Sequence, residues 1–116
     1  MSSYTVFYYI AEPPLSVAPE DGLRMEGSYV LRELLGRLRT DGDVLGLIDD
    51  QDTTLQLLYD AASASYWVEI PVPAEKGSYG ADLTFDGVVD LFRQLPDRFE
   101  VANFLEFAFQ RFGRRG

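Results

Sequence analysis

Apolar runs of two kinds, alternating and helically spaced, divide the chain into short blocks. Residues 4–11, YTVFYYIA, are β-branched and aromatic on both parities and predict a central strand buried on both faces. The stretch EPPLSVAPEDG follows; its three prolines cannot donate ladder hydrogen bonds, so a long surface loop is expected. In SYVLRELLGRLRTDG, Leu31, Leu34, Leu35 and Leu38 recur at i, i+3, i+4 and i+7. That spacing predicts a helix with Ser28 as its cap and Gly42 as its stop. Gly36 within it weakens a helix by about 1 kcal/mol relative to alanine, which points to a close packing contact there.

DVLGLID, TTLQLLYD and YWVEIPV then read as a meander. In the second run Leu55, Leu57 and Tyr59 share one face, with Gln56, Leu58 and Asp60 on the other. In the third, Tyr66, Val68, Ile70 and Val72 oppose Trp67 and Glu69. Such alternation implies antiparallel strands with one packed and one wetter face. PAEKGSYGAD reads as a Gly/Pro loop, and Thr84 as the cap of a helix FDGVVDLFRQL ended by Pro96. In the last segment, Phe99, Val101, Leu105, Phe107 and Phe109 alternate as a strand would. Val101, Phe104, Leu105, Ala108, Phe109 and Phe112 instead form a helical stripe, with Asp97 and Glu100 at capping-box spacing. Gly113 then stands at the C-terminal stop, beside Arg111, Arg114 and Arg115, so a helix is the stronger expectation. The resulting fold is one α+β domain over residues 1–116: two layers, a four-stranded, mainly antiparallel sheet with helices on one face, in the order β-α-β-β-β-α-α.

Charge alters this picture more than composition does. A hydrophobic share of 47% supports a packed core and argues against disorder. The longest apolar run, VFYYIA, is far short of a membrane span or a signal peptide, and the chain has no cysteine, so a cytoplasmic, disulfide-free protein is expected. Net charge is −9, and between Thr40 and Glu75 eight acids stand without a Lys or Arg. The other eighty residues hold eleven acids and ten bases. This asymmetry disfavours direct nucleic-acid binding and favours a basic protein partner met through fast, salt-sensitive association.

Catalytic chemistry finds little to work with. Absence of His and Cys removes the commonest general bases, thiolate nucleophiles and zinc ligands. Lys76 near Ser78 lies in a glycine-rich stretch unsuited to lowering an amine pKa, and EKGSYG lacks P-loop spacing. A calcium loop starting at Asp50 fails, because Leu55 and Ala61 occupy the glycine and bidentate-glutamate positions. Sequence alone leaves open a looser divalent site at Asp49, Asp50 and Asp52 and a paired-carboxylate activity. A non-enzymatic protein without metal or cofactor is the expectation.

Binding candidates remain. Asp60, Trp67 and Glu69 should project from the wetter sheet face, flanked by Asp41 and Asp43 at one turn and Asp49, Asp50 and Asp52 at another. Trp67 suits either an interface anchor rimmed by carboxylates or ordinary core. The first strand TVFYYIA, the helix YVLRELLGRLRTDG, the meander DVLGLIDDQDTTLQLLYD with YWVEIPV, and the helix LTFDGVVDLFRQLP together give an outline. It resembles the small acidic immunity proteins of bacterial polymorphic-toxin systems. That resemblance implies a tight stoichiometric complex with a toxin, often a basic nuclease whose groove is blocked by carboxylates; no family residues map onto this chain. The alternative is a structural or regulatory interaction domain, monomer or homodimer, self-associating through its phenylalanine-rich last segment.

Overall fold

The computed structural model describes residues 2–104 and 106–112. Its strands are β1 (Ser3–Ile10), β2 (Leu15–Val17), β3 (Leu23–Glu26), β4 (Val44–Ile48), β5 (Thr54–Asp60), β6 (Ser65–Val72), β7 (Gly77–Leu83) and β8 (Ala108–Arg111). Two helices, α1 (Gly27–Glu33) and α2 (Phe85–Arg93), complete it. All the strands form one antiparallel sheet in the order β2-β1-β4-β5-β6-β7-β8, with β3 sharing with β2 the outer side of β1. A four-stranded sheet was expected; eight strands are present among the described residues, and the fold is mostly sheet.

Period-two patterning decides the two faces. Tyr4, Val6, Tyr8 and Ile10 of β1, Leu45 and Leu47 of β4, Leu55 and Leu57 of β5, and Tyr66, Val68 and Ile70 of β6 point to one side. There they meet Val30 of α1, Val88 and Phe92 of α2, and Leu34, Leu35, Leu38, Phe99 and Phe104 in one continuous core. This is the inner face. Thr84 caps α2 as its sequence predicts, its Oγ1 accepting from the Gly87 N–H at 3.1 Å.

The missed strands have physical reasons. Pro13 and Pro14 precede β2, and Pro19 begins a 3-10 turn between β2 and β3, so no ladder donor is lost to proline. β7 contains Gly80 because a large ring lies there: a Cβ at Gly80 would come within 2.8 Å of the Trp67 Cζ2. The terminal helix is also overturned. Residues Val101–Asn103 make a 3-10 turn and Ala108–Arg111 a strand. Glu100 makes no cap, while Asp97 accepts a hydrogen bond from the Ser2 hydroxyl instead. Phe99 stacks on Tyr4 with centroids 5.1 Å apart, and Phe104 stacks on Phe107 at 5.0 Å, which holds the segment against the core in a non-helical path. Leu105 and Gly113, Arg114 and Arg115, which entered that helical expectation, lie outside the described residues.

The first helix is shorter than its leucine spacing suggests. It ends at Glu33, and a 3-10 turn, Leu35–Arg37, carries the chain on with Leu34, Leu35 and Leu38 all buried. Ser28 lies inside the helix rather than capping it, and Gly36 is exposed with nothing near a built Cβ, so it answers no packing contact.

Candidate functional site

Cross-strand register places Gln56 opposite Glu69, Leu58 opposite Trp67 and Asp60 opposite Ser65. Across the next ladder Trp67 faces Asp82 and Glu69 faces Gly80. Directly paired residues share a face, so Asp60, Trp67, Glu69 and Asp82 stand together on the side away from the helices. β4, β5, β6 and β7 contain no Lys or Arg.

At the centre is a hydrogen-bonded triad. The Trp67 Nε1–H donates to Glu69 Oε1 at 2.9 Å and the Gln56 Nε2–H donates to Glu69 Oε2 at 2.6 Å. Each carboxylate oxygen accepts one bond and keeps a further lone pair. The carboxylate is thereby held in one orientation, half-buried, on a stretch of sheet whose strands β4, β5, β6 and β7 carry no cationic side chain. Such a group presents preorganised acceptors to a guanidinium or ammonium. Gln56 also lines an open groove of about 580 Å³ that reaches Asp52 and Glu75 at one end of the sheet.

Trp67 itself is 5% exposed. Its ring lies along the sheet over Gly80, so it is not an exposed anchor; it orients Glu69. Phe7 is buried on the same face in the same manner, with its ring occupying the space a side chain at Gly46 would need. Apolar surface for contact comes instead from Tyr9, 46% exposed, and half-buried Leu58.

The remaining sequence candidates divide. Asp43 and Asp49 are buried and spent on the fold. Asp43 Oδ1 accepts from the Ala11 N–H at 3.0 Å, and its Oδ2 from the Arg39 and Thr40 N–H groups at 2.9 Å each. Asp49 Oδ1 accepts from the Gln51 and Thr53 N–H groups, and its Oδ2 from the Phe99 N–H at 2.8 Å. Neither carboxylate can meet a partner. Asp50 is exposed and paired with Arg98 at 3.2 Å. Asp41 accepts from the Ala61 N–H and Asp60 from the Ala62 N–H, bracing the turn between β5 and β6. Asp41 and Asp60 thus sit at the opposite end of β5 from Asp50 and Asp52, about 23 Å away at ~3.3 Å per residue. The acids do not form one hairpin tip. Among the described residues no group of three or more acidic side chains is arranged to hold a metal ion.

Asp82 was missed because GSYGADL reads as a loop, yet Tyr79, Ala81 and Leu83 do alternate against Ser78, Gly80 and Asp82. Compared with protein-family models, curated proteins and solved structures, the chain matches none. No helix among the described residues is long and apolar enough to cross a membrane.

Proposed function

We propose that this chain is a binding module that neutralises a basic protein partner, in the manner of an immunity protein, through the outer face of β5, β6 and β7. The supporting observation is the locked Glu69 carboxylate on the same face as Asp60 and Asp82, on strands without a single base. Two ion pairs occur among the described residues, Arg32–Glu33 and Arg98–Asp50, and neither neutralises this face. From Asp60 past Glu69 to the groove at Asp52 and Glu75 the surface suits an extended cationic segment, with Tyr9 and Leu58 beside it for apolar burial. Long-range attraction speeds encounter, and Glu69 sets register on docking.

The test uses the chain as bait in extract of its native cell at low and high salt, beside a variant carrying Asp60→Asn, Glu69→Gln and Asp82→Asn. A basic protein retained by the unaltered bait at low salt, and lost with the variant, is the expected result. Equal retention by both baits would sink the proposal.

A further inference from the structure

The two edges of the sheet are unlike. Beyond β1, the edge is divided between β2 and β3, interrupted by the turn Pro19–Asp21, and runs directly into α1. Short, broken and charged edges resist strand addition. β8, four residues with Arg111 among them, is short too, but it is unbroken by proline or turn: among the described residues no strand lies on its far side, and Ala108, Phe109, Arg111 and Phe112 are exposed, Phe109 at 41% and Phe112 at 51%.

The phase of β8 fixes which backbone groups are on offer. The Phe112 N–H donates to Lys76 O at 2.9 Å, and the ladder continues with Gln110 opposite Ser78 and Ala108 opposite Gly80. Alternate residues of a strand turn their N–H and C=O to opposite sides. Ala108, Gln110 and Phe112 therefore address β7, while Phe109 and Arg111 turn theirs outward.

We propose that β8 is a self-pairing edge. A second copy of the chain adds to it antiparallel, across a twofold axis normal to the sheet, with Gln110 opposite Gln110 of the second copy. In this register each Phe109 lies opposite Arg111 of the other copy, so the outward N–H and C=O groups of both residues are satisfied. The guanidinium stands beside the phenyl ring, and Phe112 falls opposite the small Ala108, each contact occurring twice. Slipping by two residues one way sets Arg111 against Arg111, a like-charge pair. Slipping the other way pairs Phe109 with Phe109 and Ala108 with Gln110, but sets Phe112 against the charged Glu106 and separates the two Gln110 side chains. A second, independent feature agrees: Gln110 Oε1 is buried without a hydrogen-bond partner. A pair related by the axis is the non-hydrogen-bonded kind, whose side chains approach most closely, so a Gln110 side chain turned out from under its own chain meets the facing Gln110 amide as its donor. This pairing stands apart from the acidic-face reading. With each copy at net charge −9, added salt should strengthen self-association, opposite to its effect on a basic partner.

Sedimentation equilibrium of the full chain over about two orders of magnitude in concentration reads the equilibrium. Two variants accompany it. Arg111→Pro deletes an outward donor while sparing the ladder to β7, and Ala108→Lys places an ammonium where Phe112 would seat. The unaltered chain should rise from 13.1 kDa toward twice that mass, more readily in salt, with Phe109 and Arg111 amide exchange slowing in step. Both variants should stay at 13.1 kDa with unchanged far-ultraviolet dichroism. If Arg111→Pro disturbs folding, Ala108→Lys alone decides. A chain that remains monomeric throughout, or a folded Ala108→Lys that dimerises as well as the original, overturns the proposal.

Discussion

Replacing Asp49 by alanine should be among the most damaging single changes to an acidic residue in this protein. Its carboxylate is 5% exposed and accepts three backbone N–H bonds, two closing its own turn and one from Phe99, fifty residues away. Phe99 is buried and stacked on Tyr4, so water cannot replace the lost acceptor at its N–H. Stranding that donor costs about 1–3 kcal/mol, and the two turn bonds add roughly 1 kcal/mol each. The total, about 3–5 kcal/mol, is a large part of the 5–15 kcal/mol typical of a domain. Asp49→Asn should fall between, because the amide keeps one acceptor and turns a donor toward one of the N–H groups it served. Asp50→Ala, removing only an exposed pair with Arg98, should change stability by less than about 0.5 kcal/mol. Urea unfolding followed by Trp67 fluorescence measures all three, with an unchanged denaturant slope as the control. Should Asp49→Ala unfold at the same urea concentration as Asp50→Ala, the assignment of Asp49 as an internal tie is wrong.

Other expectations follow from the same geometry. Gly46→Ala should destabilise by about 1–3 kcal/mol, because its Cβ would meet the Phe7 ring at 2.0 Å, and trimming Phe7 to leucine in the same chain should recover part of the loss in thermal melts. Thr84→Ala should cost about 1 kcal/mol through loss of the bond to Gly87, seen as a lower urea midpoint. Burial raises the Tyr4 hydroxyl above its ordinary 10.0, with Asp97 and Asp49 adding to the effect, and burial likewise raises Tyr66. A raised folded value favours the neutral form, so this stability is fully present below pH 10.0 and is lost as pH rises through the folded values. Alkaline unfolding should therefore coincide with tyrosinate absorbance, and Tyr4→Phe should shift that transition.

What was legible in the sequence was whatever obeyed one simple period. β4, β5, β6 and α2 sit where alternation and helical spacing put them, and the parity of Asp60, Trp67 and Glu69 places all three on the outer face. The sheet margins were hidden for a different reason. β2 and β3 are too short to show alternation among prolines, and β7 uses glycines to make room for neighbouring rings. At the C-terminal end, Val101, Phe104, Ala108, Phe109 and Phe112 satisfy a helical stripe on paper, but in space Phe104 packs with Phe99 and Phe107, and Phe99 with Tyr4. Side-chain burial was also out of reach. Nothing in LGLIDDQDT distinguishes Asp49, held by three backbone donors, from Asp50, its exposed neighbour.

The most direct measurement bearing on the acidic face is the association rate of the captured basic partner with the chain, followed against ionic strength. The unaltered protein should lose rate steeply as salt screens its carboxylates, whereas the Asp60→Asn, Glu69→Gln, Asp82→Asn variant should start slower and respond weakly. Rates that ignore salt, or a variant whose salt dependence matches the original, would contradict the assignment of this face.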